Sequence, residues 1–94
     1  MMESAPDDDG IESAVMLTNA ITALFKGSKD EAERLLNGLL EARVLCVRRS
    51  DGSSSRVESV KINPDSTLTV IFTEWGEEKG KRIPFLNLPD FLFI

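Results

Sequence analysis

The sequence has no histidine and no tyrosine, and a single cysteine, Cys46. Without imidazole, the triads that use it as a base, the His-bearing zinc sites and the HExxH hydrolases cannot be built. One cysteine closes no internal disulfide, which fits a reducing compartment. Apolar residues never approach the roughly 18 in succession that a membrane span needs, and Met1 to Gly10 lacks the apolar core of a secretory signal. An intracellular protein, cytoplasmic or nuclear and without membrane contact, is expected. No Gly-rich phosphate cradle and no metal-ligand spacing is present, so no cofactor and no metal is expected either.

What is present fits one small domain. The chain has 94 residues, 41% of them hydrophobic, and 16 acids against 11 bases for a net charge of −5. A chain of this length buries about two-thirds of its unfolded surface, enough for a single core with little left for a separate catalytic cleft. The acidic balance argues against direct nucleic-acid binding, which needs a basic surface to neutralise phosphates. That acidity is local. Residues 1–12 hold Glu3, Asp7, Asp8, Asp9 and Glu12 and no base, which leaves eleven acids against eleven bases in the rest.

Residues 1–10 combine Pro6, three consecutive Asp and Gly10 without apolar periodicity, the composition of a solvated acidic tail. The Asp run lacks the alternating spacing and distal Glu of an EF-hand loop. From Ile11 to Lys26, the residues Ile11, Ala14, Leu17, Ile21, Leu24 and Phe25 share one helical face. Gly27 provides a helix stop, and Ser28 with Glu31 has the spacing of a capping box opening a second helix over 29–42. The stripe Ala32, Leu35, Leu36, Leu39, Leu40 of that helix is expected to cover a sheet. Gly38 interrupts it where another backbone must approach.

Beyond Ala42 the period falls from 3.6 to 2. Strands are predicted at 44–49, 56–62, 67–75 and 81–86, separated by turns at Asp51-Gly52, at Asn63-Pro64-Asp65 and over residues 76–80. Pro84 confines the last strand to an edge or a bulge, and the short connections imply an antiparallel meander. Phe91, Leu92, Phe93 and Ile94 form an apolar end that must be covered, either by the monomer's own core or by a second chain.

Little here promises catalysis. Cys46 sits in an alternating apolar strand with no histidine to activate it, and Glu74, Glu77 and Glu78 cluster at a solvated turn rather than in a desolvated pair. The chain is expected not to be an enzyme.

The order VLCVRRSDGSSSRVESV, DSTLTVIFTEWGE, IPFLNL over residues 44–88 resembles a Tudor domain, a small SH3-like barrel. Asp51-Gly52 matches its first turn, Arg56, Val57 and Val60 its second strand, and Phe72, Glu74, Trp75 and Gly76 its F-x-D-Y-G element. The resemblance implies recognition of methylated Arg or Lys in an aromatic cage, with Phe72 and Trp75 as two walls. The positions matching the other walls are Arg48 and Ser55, which are not aromatic, and Glu77 stands where arginine-methyl readers carry Asn.

The expected fold is therefore α+β: a helical hairpin packed on a four- to five-stranded antiparallel meander that curls toward an SH3-like barrel. The expected function is a protein-interaction module binding a peptide or partner surface through Phe72, Glu74, Trp75 and Glu77, with the carboxylates selecting a basic or methylated ligand. An alternative is a small acidic inhibitor or adaptor, of the phage type, that blocks a basic surface of a larger enzyme by charge. A homodimer formed through the helices and the Phe91 to Ile94 end is a third possibility.

Overall fold

The computed structural model describes residues 6–94, with side chains from Ile11 onward. Two helices, α1 (Pro6–Lys26) and α2 (Lys29–Ala42), precede the strands β1 (Cys46–Arg48), β2 (Ser54–Ile62), β3 (Thr67–Glu74) and β4 (Glu77–Pro84). A 3-10 turn at Phe85–Asn87, a one-turn helix α3 (Leu88–Phe91) and a two-residue strand β5 (Leu92–Phe93) complete the chain. The α+β expectation holds. Part of the expected acidic tail, residues 1–5, lies outside the described residues, whereas residues 6–10 are helical and extend α1 five residues before Ile11. Proline fits the first turn of a helix because its fixed φ is already helical and its missing N–H is not needed there.

Backbone hydrogen bonds fix the helical hairpin. Gly27, at φ 80°, donates from its N–H to the Leu24 carbonyl at 3.2 Å, and the Ser28 N–H reaches the Ala23 carbonyl at 2.9 Å. This pair is the Schellman arrangement, which satisfies the last carbonyls of α1. Arg43, at φ 61°, closes α2 in the same way, with Val44 bonded to Leu39 and Arg43 to Leu40. The capping box is not formed: Ser28 begins α2 without a side-chain hydrogen bond to the helix. Gly38 accommodates the tip of Met16, whose Cε lies 3.1 Å from the place of a Cβ, rather than a neighbouring backbone.

The buried face of α1 is rotated from the one the apolar spacing marks. Leu17, Ala20, Ala23 and Leu24 are buried, whereas Ile11, Ala14 and Phe25 are exposed. The cause is packing against α2, which contributes Ala32, Leu36 and Leu39 to the same core. Small residues on both helices bring the helix surfaces together, so alanines take the interior that the larger residues were expected to fill.

The sheet is antiparallel, in the order β4-β3-β2-β1-β5. Alternation works as the period-2 reading requires. Leu68, Val70 and Phe72 of β3 point into the core, as do Leu45, Val47, Val57 and Ile83, and α2 covers this inner face as its leucine stripe anticipates. β4 is an edge strand ending in Pro84, which suits a residue without an N–H. The apolar C-terminus packs within the monomer: Leu92 is buried, and Phe93 and Leu92 pair with Cys46 and Val47.

The expected barrel is not closed. The sheet curls far enough for the Lys81 ammonium of β4 to sit 4.1 Å from the centre of the Phe91 ring and 3.4 Å from the Arg48 carbonyl of β1. Yet β4 and β5 share no ladder. A two-residue β5 is too short to close against an eight-residue β4, and Leu36 and Leu39 of α2 cover the inner face that a closing strand would have covered.

Candidate functional site

The β3–β4 ladder continues to the pair Glu74 and Glu77, so only Trp75 and Gly76 connect the strands. Their φ angles are 55° and 78°. Positive φ at both central residues marks a type I′ turn, whose twist matches that of the strands and whose usual first residue is Asn or Asp. A tryptophan there is an outlier, because a bulky side chain in the left-handed region crowds its own carbonyl. The Trp75 residue is also 89% exposed, the most exposed large apolar residue among those described. The turn expected over residues 76–80 is thus two residues long, and Glu77 to Gly80 belong to β4.

Of the four residues expected to bind a ligand, the structure gathers three at this tip. Phe72 is the exception. It is 6% exposed and points into the core beside Leu68 and Val70, so its ring offers no face to a ligand. Period 2 places it correctly on the apolar side of β3, and the same period removes it from the surface that carries the site.

Glu74 follows Phe72 on the inner face, at the rim, where its carboxylate lies 3.6 Å from Nε of Arg49. Arg49 is itself held by the β1–β2 turn, donating to Oγ of Ser53 at 2.7 Å and lying 3.9 Å from Asp51. The Ser53 hydroxyl and backbone N–H both donate to Asp51, and these bonds, with the Arg49 charge, hold its carboxyl below the usual value. Glu77 pairs with Lys79 at 3.2 Å but stays largely exposed. On the outer face, Thr73 stands opposite Glu78 and donates its hydroxyl to Glu58, the residue at the β2 bulge between Val57 and Ser59. The tip is therefore one exposed indole in a turn flanked by Glu74 and Glu77, which pair with Arg49 and Lys79, while Glu78 and Glu58 stand at Thr73 on the outer face.

Arg49, Glu58, Glu78 and Lys79 join the tip beyond the residues expected there. The register would have placed Lys79 and Glu78, but only once the turn is known to be two residues long. Arg49 and Glu58 arrive through the curl of the sheet and the bulge, for which no local pattern stands out. Of the positions matched to the two remaining cage walls, Arg48 lies over the Phe93 ring at 5.5 Å and Ser55 pairs with Val47 in β1. Trp75 is thus the one aromatic side chain at the tip among the described residues.

Cys46 is half-buried, its thiol directed to the Val44 carbonyl at 3.9 Å. Among the described residues no three His, Cys, Asp or Glu side chains come together as a metal site, and no helix is long and apolar enough to cross a membrane. No protein-family model, curated protein or solved structure matches this chain.

Proposed function

We propose that the protein is a non-enzymatic interaction module whose docking point is the β3–β4 hairpin tip, with Trp75 as the anchor for a basic peptide or partner surface. One observation carries this reading: the bulkiest side chain in the sequence occupies a left-handed turn position and leaves its ring in water. A left-handed conformation costs a non-glycine residue roughly 1–2 kcal/mol. Covering about 200 Å² of indole at about 25 cal/mol per Å² supplies ~5 kcal/mol of gross stabilisation to a complex. Strain kept at an exposed aromatic suits a residue selected for contact rather than for folding.

The exposed carboxylates next to the turn set the sign of the partner. Glu77 and Glu78 are exposed beside Trp75, so an Arg or Lys side chain stacked on the indole gains a carboxylate neighbour. A methylated cation, the ligand that the Tudor resemblance implies, would meet this single ring instead of a cage.

Trp75 is the sole tryptophan, so its fluorescence reads the site directly. Arginine- and lysine-rich peptides, unmodified and methylated, are expected to shift its emission to the blue, and an acidic peptide of equal length is not. Trp75→Ala, which removes the fluorophore, is expected to weaken binding by about thirtyfold or more in titration calorimetry with an unchanged circular-dichroism spectrum. No emission change with any basic peptide would remove this reading.

A further inference from the structure

Among the described residues, four of the six exposed large apolar ones lie along α1 or at its C-terminal end: Ile11, Val15, Phe25 and Leu86. Ile11, Val15, Thr18, Thr22 and Phe25 follow one another at spacings of four and three, which places them on a single stripe opposite buried Ala20. The stripe carries no charge over a length of about 21 Å. Its two threonines turn their hydroxyls back onto α1, Thr18 to the Ala14 carbonyl at 3.0 Å and Thr22 to the Thr18 carbonyl at 2.9 Å. They therefore need no polar partner outside the helix. At the C-terminal end the stripe runs into a groove where Phe25 meets Phe85 edge-on, with ring centres 6.3 Å apart, and where Leu86 is 80% exposed.

We infer that this face is covered by the α1 stripe of a second copy of the chain, packed antiparallel about a two-fold axis near Thr18. The sequence of the stripe fits that axis. Thr18 meets Thr18 of the second copy, Val15 meets its Thr22, and Ile11 reaches its Phe25 at the groove beside Leu86. Such an interface is isologous, so each contact occurs twice. Charge fixes the direction. Glu12 and Lys26 flank the stripe on the same side, both exposed and neither in a salt bridge among the described residues. In an antiparallel pair this flank faces its own copy, so Glu12 meets Lys26 of the second copy at each end; a parallel pair leaves them apart. The tail Leu92–Phe93, paired with β1, has no part in the contact.

A single-helix seam is smaller than a standard interface of about 800 Å² per partner, so the dimer belongs to the weak, concentration-dependent class. Sedimentation equilibrium of the full chain is expected to show the mass rising from one copy to two between about 1 μM and several hundred μM. Thr18→Glu and Thr18→Lys, each at an exposed helix position, are expected to weaken dimerisation at least tenfold by self-repulsion, and an equimolar mixture of the two is expected to restore it. Ile11→Glu mixed with Phe25→Lys tests direction: the antiparallel arrangement regains one native end and one ion pair, while a parallel arrangement regains neither. A chain that stays monomeric throughout, a dimer indifferent to Thr18→Glu, or no recovery in the Ile11/Phe25 mixture overturns the inference.

Discussion

The three β-turns solve one problem with different chemistry. The β1–β2 turn is held by Asp51, which accepts from Ser53, while Gly52 at φ 89° bonds back to the Arg49 carbonyl at 3.0 Å. The β2–β3 turn is held by Asp65, which accepts from the Thr67 hydroxyl at 2.6 Å, and by Asn63, whose amide donates to Thr67 and Thr69 at 3.0 and 2.8 Å. In both, short polar side chains replace the backbone bonds that the turn forgoes. The β3–β4 turn has Trp75 where such a residue belongs, and the ring makes no compensating hydrogen bond among the described residues. Ser66 in the second turn also takes a positive φ, 65°, but as a small residue between the bonded Asp65 and Thr67; the third turn puts a bulky indole in that region without such support, and exposure rather than packing surrounds it.

The sharpest way to break this contrast is to separate core from tip on one strand. Phe72→Ala is expected to cost about 3–5 kcal/mol, since it empties a large volume in the core. Trp75→Ala, three residues away, is expected to change stability by no more than about 0.5 kcal/mol. Urea titrations of the two variants would show it, and a large loss for Trp75→Ala would place the indole in the folding machinery after all. Next in size is the β2–β3 turn: Asn63→Ala removes two side-chain donors and is expected to cost about 1–2 kcal/mol. A smaller effect of opposite sign is expected at the tip. Trp75→Asn installs the favoured Asn-Gly pair and is expected to stabilise the fold by about 1 kcal/mol while abolishing binding of basic peptides as followed by titration calorimetry. A gain in stability with loss of docking is the signature of a residue retained for contact.

The sequence shows much of this architecture and loses it at identifiable places. Alternation in TLTVIFTE places Leu68, Val70 and Phe72 inward, and the leucine stripe of α2 covers them. The turn at Trp75 escapes a reading by composition because Trp is not a turn former, so the start of β4 falls at Lys81 rather than at Glu77. The rotation of α1 is hidden for a related reason. Periodicity weighs side chains by size, whereas the helix contact is made through Ala20, Ala23 and Ala32, with Met16 seated on Gly38. As for the site, Trp75 with its neighbours Glu74 and Glu77 is legible. The burial of Phe72 is written in the same alternation, but a family-like pattern of aromatic residues draws the eye from it. Arg49 and Glu58 come from distant segments and become visible only once the sheet has bent.

The smallest expected effect concerns pH and discriminates between the turns most cleanly. Asp51 and Asp65 both have carboxyls held below the usual value, chiefly by side-chain hydrogen bonds from Ser53 and Thr67, with Arg49 and Arg82 adding charge. A carboxyl whose pKa is depressed in the folded chain binds protons more readily when unfolded. Its stabilisation is therefore present above the ordinary carboxylate value of about 4 and is lost as pH falls through the lower folded value. Both carboxyls are in contact with solvent, which keeps the effect modest. Urea midpoints followed from neutral pH to about pH 2.5 should fall on the acid side, and Asp51→Asn with Asp65→Asn should flatten that limb. Because no such carboxylate hydrogen bond supports the third turn, Trp75→Asn should shift the whole curve upward without altering its acid slope. A changed slope in Trp75→Asn would mean that the third turn differs from the other two by less than its hydrogen bonds show, and would break the contrast.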